Sequence, residues 1–247
     1  NNMEKQVDIL IVGAGISGIG LAAHLSKHCP QRSFEIIERR ESIGGTWDLF
    51  KYPGIRSDSD MSTFGFNFKP WKKESVLADG ASIKNYLAEV VEEFKLQPKT
   101  HFQHRVLSAN YDSATCKWSV EIVDAQGKTQ IWIANFILGC TGYYNYDQGF
   151  QPEFPNQTAF KGEFIHPQHW PENLNYKGKK VVIIGSGATA ITLVPAMVKG
   201  GAGHVTMLQR SPTYIASVPS VDFIYSKMRK YLPEEVAYKL TRARNIG

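Results

Sequence analysis

The chain has 247 residues, of which 43% are hydrophobic and 21% are charged, as is typical of a globular protein with one or two domains and not of a disordered one. Its net charge of +5 is dispersed among acidic residues, which disfavours nucleic-acid binding and leaves anionic cofactors or a peripheral contact with an anionic membrane open. The three cysteines have spacings that fit neither a disulfide framework nor a metal pair, so we expect a reducing, cytoplasmic setting and no metal site.

A glycine-rich turn near the N-terminus predicts a first nucleotide-binding unit. Residues 7–12 form an apolar strand, residues 13–18 have the sequence GAGISG, and a helix is expected to about His28. In such a turn the first glycine permits the tight bend, the second lets the backbone approach a pyrophosphate, and the third lets helix and strand pack closely. These three positions are Gly13, Gly15 and Gly18.

The next strand strengthens this interpretation. It is predicted at residues 33–37 and ends at Glu38, twenty residues after Gly18. A carboxylate at that place accepts hydrogen bonds from the ribose hydroxyls of a bound dinucleotide. The alternative is a glycine turn that serves packing alone, and the strand, the spacing and the acid together argue against it.

The middle of the chain predicts a helix and a small antiparallel meander. Residues 79–94 carry an apolar stripe at helical spacing, with Ser82 as the expected N-cap. Three segments alternate like strands, and a turn is expected between the last two. These segments are residues 105–111, 117–123 and 129–133. A separate short strand is predicted at 136–138, before a stretch rich in Pro, Gly and aromatic residues.

A second strand, turn and helix repeat the pattern of the first. The strand at 181–184 precedes GSGATA at 185–190, and the next strand, at 204–208, ends in a cation and a hydroxyl instead of an acid. This difference favours NADPH over NADH, because Arg210 attracts a 2′-phosphate that an acid would repel. The alternative is an exposed arginine at a strand end. The predicted NADPH contacts are Gly185, Ser186, Gly187, Ala188, Thr189, Ala190, Gln209, Arg210 and Ser211.

Two further motifs carry a family resemblance. Residues 160–171, FKGEFIHPQHWP, match the pattern FxGxxxHxxxW(P/D) at each defined position, and residues 44–58, GGTWDLFKYPGIRSD, match a second pattern. In this order, and with both glycine turns, they resemble Baeyer–Villiger monooxygenases, in particular the ethionamide-monooxygenase branch. The fingerprint positions are Phe160, Gly162, His166, Trp170 and Pro171.

The resemblance implies an α/β fold with two Rossmann-like, doubly wound dinucleotide-binding domains, the second incomplete, and a small antiparallel meander in the first. We expect an FAD-binding domain at 1–143, an interdomain crossing at 144–176 and an NADP-binding domain at 177–247 that ends in a helical insertion. The implied reaction uses FAD, NADPH and O2 to insert one oxygen atom next to the carbonyl of a small hydrophobic ketone, with oxygenation of sulfides or thioamides as a side activity.

Residue roles follow from the resemblance position by position. Asp58 is the expected catalytic residue, because in the family it supports an arginine beside the flavin, although alone it would be an ordinary loop aspartate. Arg56 and Ser57 are expected to adjoin NADP. His166 is expected to couple the motions of the two domains and not to act as a base. The implied FAD contacts are Gly13, Gly15, Ser17, Gly18, Glu38, Gly45, Thr46, Trp47, Asp48, Leu49, Asp58 and Val106.

Chains of this family are about twice as long, the length of several domains. We therefore expect this sequence to be the N-terminal part of a longer enzyme, with the arginine beyond Gly247. Two alternatives remain. The first is a flavin monooxygenase that oxidises amines or sulfides, but the crossing pattern of that class ends in Phe or Tyr where this chain has Trp170. The second is a nucleotide-binding fragment without activity. A pyridine nucleotide–disulfide reductase is excluded because the cysteines supply no redox pair.

Overall fold

The computed structural model describes residues 4–217 and 219–246. Its eight strands, β1 to β8, are Lys5–Val12, Phe34–Ile37, Thr100–His101, Arg105–Asp112, Lys117–Val123, Thr129–Gly139, Lys180–Ile184 and His204–Leu208. Its seven α-helices, α1 to α7, are Ile16–His28, Thr46–Leu49, Met61–Phe64, Gly80–Glu93, Ala188–Lys199, Phe223–Tyr231 and Glu234–Ile246. No helix in the described ranges is long and apolar enough to cross a membrane.

Six strands form one sheet in the order β3-β2-β1-β6-β5-β4. Strands β3, β2, β1 and β6 run parallel, whereas β5 pairs antiparallel with both β6 and β4. The predicted α/β class and the antiparallel meander are confirmed. The core below the meander is built around Trp132, which is 1% exposed, with aliphatic side chains of β1, β2 and β5.

Strand β6 is one strand in the structure, whereas the sequence predicted two separate strands at 129–133 and 136–138. It is continuous over Thr129–Gly139: residues 129–134 pair antiparallel with β5, and residues 132–139 run parallel beside β1. The residues between the predicted segments, Ala134 and Asn135, stay in the strand because Ala134 is fully buried between Trp118 of β5 and Val7 of β1. One strand therefore connects the parallel and antiparallel parts of the sheet.

Helix α4 follows its predicted apolar stripe, but its cap is a different residue. Ile83, Leu87 and Val90 are fully buried at helical spacing. Asp79, not Ser82, caps the helix: its carboxylate accepts the backbone N–H of Ser82 at 2.8 Å and the Ser82 hydroxyl at 2.9 Å. The reason is geometric, since a side chain must precede the first turn in order to accept its free N–H groups.

Contacts divide the chain into two compact units. The first comprises Asn1–Leu49 and Ile83–Tyr146, and the second comprises Phe50–Ser82 and Asp147–Gly247. The first boundary lies close to the predicted residue 143, but residues 50–82 join the second unit instead of the first. Long-range contacts explain this: the Tyr225 hydroxyl donates to the Trp71 carbonyl at 3.2 Å, and the Arg242 guanidinium donates to the Ser62 carbonyl at 2.7 Å.

The second unit contains the repeated strand, helix and strand. Strands β7 and β8 pair in parallel, and α5 connects them. The predicted strand at 204–208 agrees with the structure, and α5 ends at Lys199. The two C-terminal helices, α6 and α7, are separated at Pro233, because proline lacks the N–H that would continue a helix.

Candidate cofactor sites

A cavity of about 530 Å³ lies in the first unit, where β1 ends and α1 begins. Its size is that of a site for a small molecule or part of a dinucleotide. Eight of the predicted FAD contacts line it: Gly13, Gly15, Ser17, Glu38, Gly45, Thr46, Trp47 and Val106. The remaining wall includes residues that sequence reasoning had not assigned: His104, Arg105 and residues 140–146.

The glycines of the first turn are required by close backbone contacts. Gly13 has φ +111°, and a Cβ at this position would lie 2.4 Å from the carbonyl oxygen of Cys140. A Cβ on Gly18 would lie 1.9 Å from the carbonyl oxygen of Gly13, so Gly18 serves packing and does not itself line the cavity. Gly15 is the N-cap of α1 and provides no side-chain cap. The first-turn N–H groups of α1 therefore lack a capping side chain, as an anion-binding helix end requires.

Glu38 supplies a carboxylate to the wall of this cavity and is only 4% exposed. Its Oε2 accepts the N–H of Ala14 at 2.7 Å, and its Oε1 accepts the N–H of Arg40 at 2.8 Å. These two bonds fix the carboxylate, and each oxygen retains a further lone pair. The group is thus oriented to accept two hydroxyls, and the glycine cradle beside it admits a pyrophosphate. The residues present fit the adenosine end of a dinucleotide such as FAD.

A second glycine turn closes the cavity at Gly44 and Gly45. Both have positive φ, +117° and +55°, and a Cβ on Gly45 would lie 3.0 Å from Cα of Gly15. Tyr146, which the sequence did not reveal, also lines this wall, and its hydroxyl lies 3.4 Å from Oγ1 of Thr46. Only the folded chain brings Tyr146 and Thr46 together, because one hundred residues separate them.

Asp48 and Leu49, predicted FAD contacts, are buried and do not line the cavity. The Asp48 carboxylate pairs with the Arg40 guanidinium at 2.6 Å and with the Lys84 ammonium at 2.5 Å. Burial alone would raise the pKa of Asp48, but hydrogen bonds from Lys84, Arg40 and Ser42 outweigh it and lower that pKa to about 2. Asp48 is therefore ionised at every physiological pH, and direct contacts of these two residues with FAD stay a prediction.

The second unit presents the other fingerprint. Gly185 has φ +128°, and Gly187 is the N-cap of α5 without a side-chain cap. The Ser186 hydroxyl donates to the carbonyl of Ser211 at 2.9 Å, which ties the turn to the segment after β8. Ala188 is exposed, Thr189 is half-buried and Ala190 is buried.

Three exposed residues follow β8: Gln209, Arg210 and Ser211. Across residues 4–217 and 219–246, the Arg210 guanidinium has no side-chain or backbone partner. It is therefore available to an anionic ligand. The arrangement is that expected for a 2′-phosphate, which an arginine and a hydroxyl bind through charge-assisted hydrogen bonds.

The predicted catalytic segment also lies in the second unit. Arg56 and Asp58 are exposed, whereas Ser57 is 2% exposed. The Ser57 hydroxyl donates to the carbonyl of Ser59 at 3.0 Å, and the Ser57 N–H donates to the carbonyl of Ala78 at 2.8 Å. Within the described ranges the Asp58 carboxylate has no hydrogen-bond or ion-pair partner, so the loop fixes its backbone and leaves its charge accessible.

The fingerprint 160–171 has a local structural explanation. The Phe160 ring folds over Gly162, where a Cβ would lie 2.5 Å from Cζ of the ring. Nδ1 of His166 accepts the N–H of Gln168 at 3.2 Å and so caps a short 3₁₀ turn, Pro167–His169. The other side of that imidazole meets Gly149, where a Cβ would lie 2.3 Å from Cε1. Trp170 is half-buried and Pro171 is exposed.

Residues 4–226 match the flavin-binding monooxygenase-like family. The chain belongs to that family. Among curated members, the probable FAD-binding monooxygenase AlmA of Acinetobacter baylyi is 80% identical over 245 residues, which are 99% of this chain and 49% of AlmA. The FAD-containing monooxygenase EthA of Mycolicibacterium smegmatis is 55% identical over 99% of this chain and 50% of its own length. The chain thus spans about half the length of the curated flavin-binding monooxygenases it matches.

Solved structures of flavoprotein monooxygenases have the same fold as this chain. An oxidised steroid monooxygenase bound to NADP has a TM-score of 0.78 and 26% identity over 97% of this chain and 44% of its own. A cyclohexanone monooxygenase of Rhodococcus sp. Phi1 bound to NADP+ has a TM-score of 0.76 and 26% identity over 96% of this chain and 44% of its own. These Rossmann-type neighbours confirm the predicted fold class, and they agree with the family resemblance carried by residues 44–58 and 160–171.

Proposed function

We propose that this chain provides the FAD site and part of the NADPH site of a flavoprotein monooxygenase that inserts one oxygen atom from O2 next to a ketone carbonyl. The observation that carries the proposal is the cavity at the first glycine turn, where a fixed, buried carboxylate stands beside an uncapped helix N-terminus. Membership of the flavin-binding monooxygenase-like family supports FAD as its ligand. When bound, FAD supplies the redox chemistry and the activation of O2.

The residues of the first unit bind and orient the cofactor. Glu38 accepts the ribose hydroxyls, and the N–H groups at the start of α1 bind the pyrophosphate. Thr46 and Trp47, which line the cavity, border the path toward the flavin end. Val106 lies in the wall at the start of the meander, and we assign its backbone to the contact with the adenine. Each of these residues binds the cofactor, and none of them transfers a proton.

The second unit binds the reductant. Gly185 and Gly187 admit the pyrophosphate of NADPH to the N-terminus of α5, and Arg210 pairs with the 2′-phosphate. Arg56 and Ser57 are candidates for a further contact with NADP, of which only Arg56 exposes its side chain. The NADP-bound steroid and cyclohexanone monooxygenases support this choice of reductant.

Asp58 is the catalytic candidate. Its carboxylate is exposed and has no partner among residues 4–217 and 219–246, so it can orient a cation that stabilises negative charge beside the flavin. We assign His166 a structural and gating role, because its Nδ1 already accepts the N–H of Gln168 and its ring packs against Gly149.

Ketone oxygenation is the most specific part of the proposal, because two alternative functions would use the same cofactor sites. A flavin monooxygenase that oxygenates only amines or sulfides would use the same turns, and a fragment without turnover would still bind nucleotide. The cyclohexanone monooxygenase neighbours favour ketones. Sulfides and thioamides are the expected side substrates.

The test begins with the visible absorption of the purified chain. A flavin band is expected, and a chain that takes up no FAD on titration would refute the proposed function. NADPH oxidation is then followed with cyclohexanone, with a thioether and with neither, on a protein that spans the full length of the curated relatives. Ester formation from the ketone supports the proposal, whereas sulfoxide without ester assigns the protein to the amine and sulfide class.

A further inference from the structure

We propose that Asp48 is a positioning residue that holds the Gly44–Gly45 turn in its cofactor-binding shape through ion pairs to Arg40 and Lys84. The inference rests on the proposed FAD site. It gives Asp48 an indirect role toward FAD, because its carboxylate is buried, does not line the cavity and pairs with two cations.

The ion cluster joins three separate segments of the first unit. Arg40 follows the end of β2, Asp48 belongs to α2, and Lys84 belongs to α4. The Arg40 guanidinium approaches one carboxylate oxygen of Asp48 with both Nε, at 3.2 Å, and Nη2, at 2.6 Å. Lys84 pairs with the other oxygen at 2.5 Å. Both oxygens are therefore engaged, and the cluster fixes α2 in two directions.

The same cluster is connected to the ribose-binding carboxylate. The Arg40 N–H donates to Oε1 of Glu38 at 2.8 Å, and the Ala14 N–H donates to Oε2 at 2.7 Å. The Gly44 N–H in turn donates to the carbonyl of Ala14 at 3.0 Å. A closed series of contacts thus runs from Glu38 through the first glycine turn to Gly44, along the chain to Asp48, and back through Arg40.

The Gly44–Gly45 turn needs such support. Two consecutive glycines lose more conformational entropy on ordering than any other pair, and both are held at positive φ. A turn that is ordered before binding spares the ligand that entropy, whereas a loose turn must be ordered at the expense of affinity. Because the turn forms one wall of the cavity, its order should appear directly in FAD affinity.

Asp8 offers a matched control within the first unit. Its carboxylate accepts the N–H of Ser33 at 2.9 Å and pairs with Arg32 at 3.8 Å, and Asp8 is not among the residues that line the cavity. Asp8→Asn removes a carboxylate that is hydrogen-bonded across two strands and leaves the Gly44–Gly45 turn unchanged. This variant therefore measures how the loss of a hydrogen-bonded carboxylate changes protein stability without a change in the turn.

The experiment compares Asp48→Asn, Lys84→Met and Asp8→Asn in the 247-residue chain. We measure the Kd for FAD by quenching of flavin fluorescence, the Tm of the FAD-free protein, and the visible circular dichroism of the saturated flavin. Asp48→Asn should raise Kd about tenfold, the effect of losing a hydrogen bond to a charged group. Lys84→Met should raise it less, and Asp8→Asn should leave it unchanged. The dichroism of bound flavin should change only in the first two variants.

The outcomes separate the two proposals. If the unsubstituted chain takes up no FAD, the proposed function fails and this inference fails with it. If the unsubstituted chain binds FAD and Asp48→Asn binds it equally well, the positioning role alone is wrong. If Asp8→Asn raises the Kd for FAD by the same factor, the change in Asp48→Asn reflects a general loss of stability and the positioning role is also wrong. Should Asp48→Asn not fold, Lys84→Met decides, because its partly exposed side chain can be shortened without burying an unpaired charge.

Discussion

The glycine turn of the first unit is enclosed by protein atoms, whereas that of the second unit faces open space. Gly13 and Gly185 share a left-handed φ, +111° and +128°, so both positions favour glycine for conformational reasons. A Cβ on Gly13 would collide with the Cys140 carbonyl, but one on Gly185 would meet no described atom within 4 Å. The backbone conformation is common to the two turns, and the packing around them is not.

The third position of each turn shows the same contrast. Gly18 leaves no room for a Cβ, which would lie 1.9 Å from the Gly13 carbonyl oxygen. The second unit has Ala190 at the corresponding place, buried and tolerated. The second position differs as well: Gly187 has φ −77°, which any residue adopts, and its Cβ site is open. Neither sterics nor conformation explains a glycine at 187, so we attribute it to the approach of a ligand.

The largest expected effect is on stability in the first unit. Gly18→Ala forces the backbone of the first turn apart and should lower the free energy of unfolding by about 3 kcal/mol. The matched change Ala190→Gly removes a side chain from α5 and should lower it by about 1 kcal/mol. Urea denaturation followed by circular dichroism measures both. Equal losses would remove the distinction between an enclosed turn and an open one.

The second prediction concerns the cation that follows the open turn. Arg210→Ala should weaken NADPH binding about tenfold or more and leave NADH binding nearly unchanged, because only NADPH carries the 2′-phosphate. Titration of both nucleotides by fluorescence provides the ratio. Arg32→Ala is the control, since this arginine is also exposed but pairs with Asp8 in the first unit. Equal losses for both nucleotides would rule out phosphate recognition by Arg210.

The sequence predicted most of the local structure and less of the long-range structure. The bounds of β8 and the end of α1 follow from hydrophobic periodicity, which is a local signal. The grouping of residues 50–82 with the second unit does not follow from such signals, because their partners, such as Tyr225 and Arg242, lie more than a hundred residues away in the sequence. No sequence pattern marks such pairs.

The candidate sites show the same limit. The first glycine turn and Glu38 have a fixed spacing that the sequence displays, and Gly13, Gly15 and Glu38 line the cavity of the first unit. Arg40, Lys84 and Tyr146 carry no motif. Arg40 and Lys84 become important only when the segment after β2, α2 and α4 meet, because their ion pairs with Asp48 depend on how those segments pack. Tyr146 does so only when the segment after β6 reaches Thr46.

The third prediction isolates ligand approach at the open turn. Gly187→Ser adds a side chain to a position with no steric conflict, and serine is a better N-cap than glycine, so the free energy of unfolding should stay constant or rise slightly. The new hydroxyl competes for the N–H groups that bind the pyrophosphate, and NADPH affinity should fall about fivefold. Nucleotide titration beside thermal unfolding tests both halves. Unchanged affinity would mean that nothing approaches Gly187.

The smallest expected effect is the pH dependence of the support that Asp48 gives to the Gly44–Gly45 turn. The pKa of Asp48 is lowered from 3.8 to about 2, so its contribution is fully present above pH 3.8 and is lost only as pH falls toward 2. Its ion-pair partners are Arg40 and Lys84. The ratio of FAD Kd values for Asp48→Asn and the unsubstituted chain should therefore stay constant between about pH 5 and 8. A ratio that changes across this range would show that a group titrating near neutrality, and not a permanently charged Asp48, holds the turn.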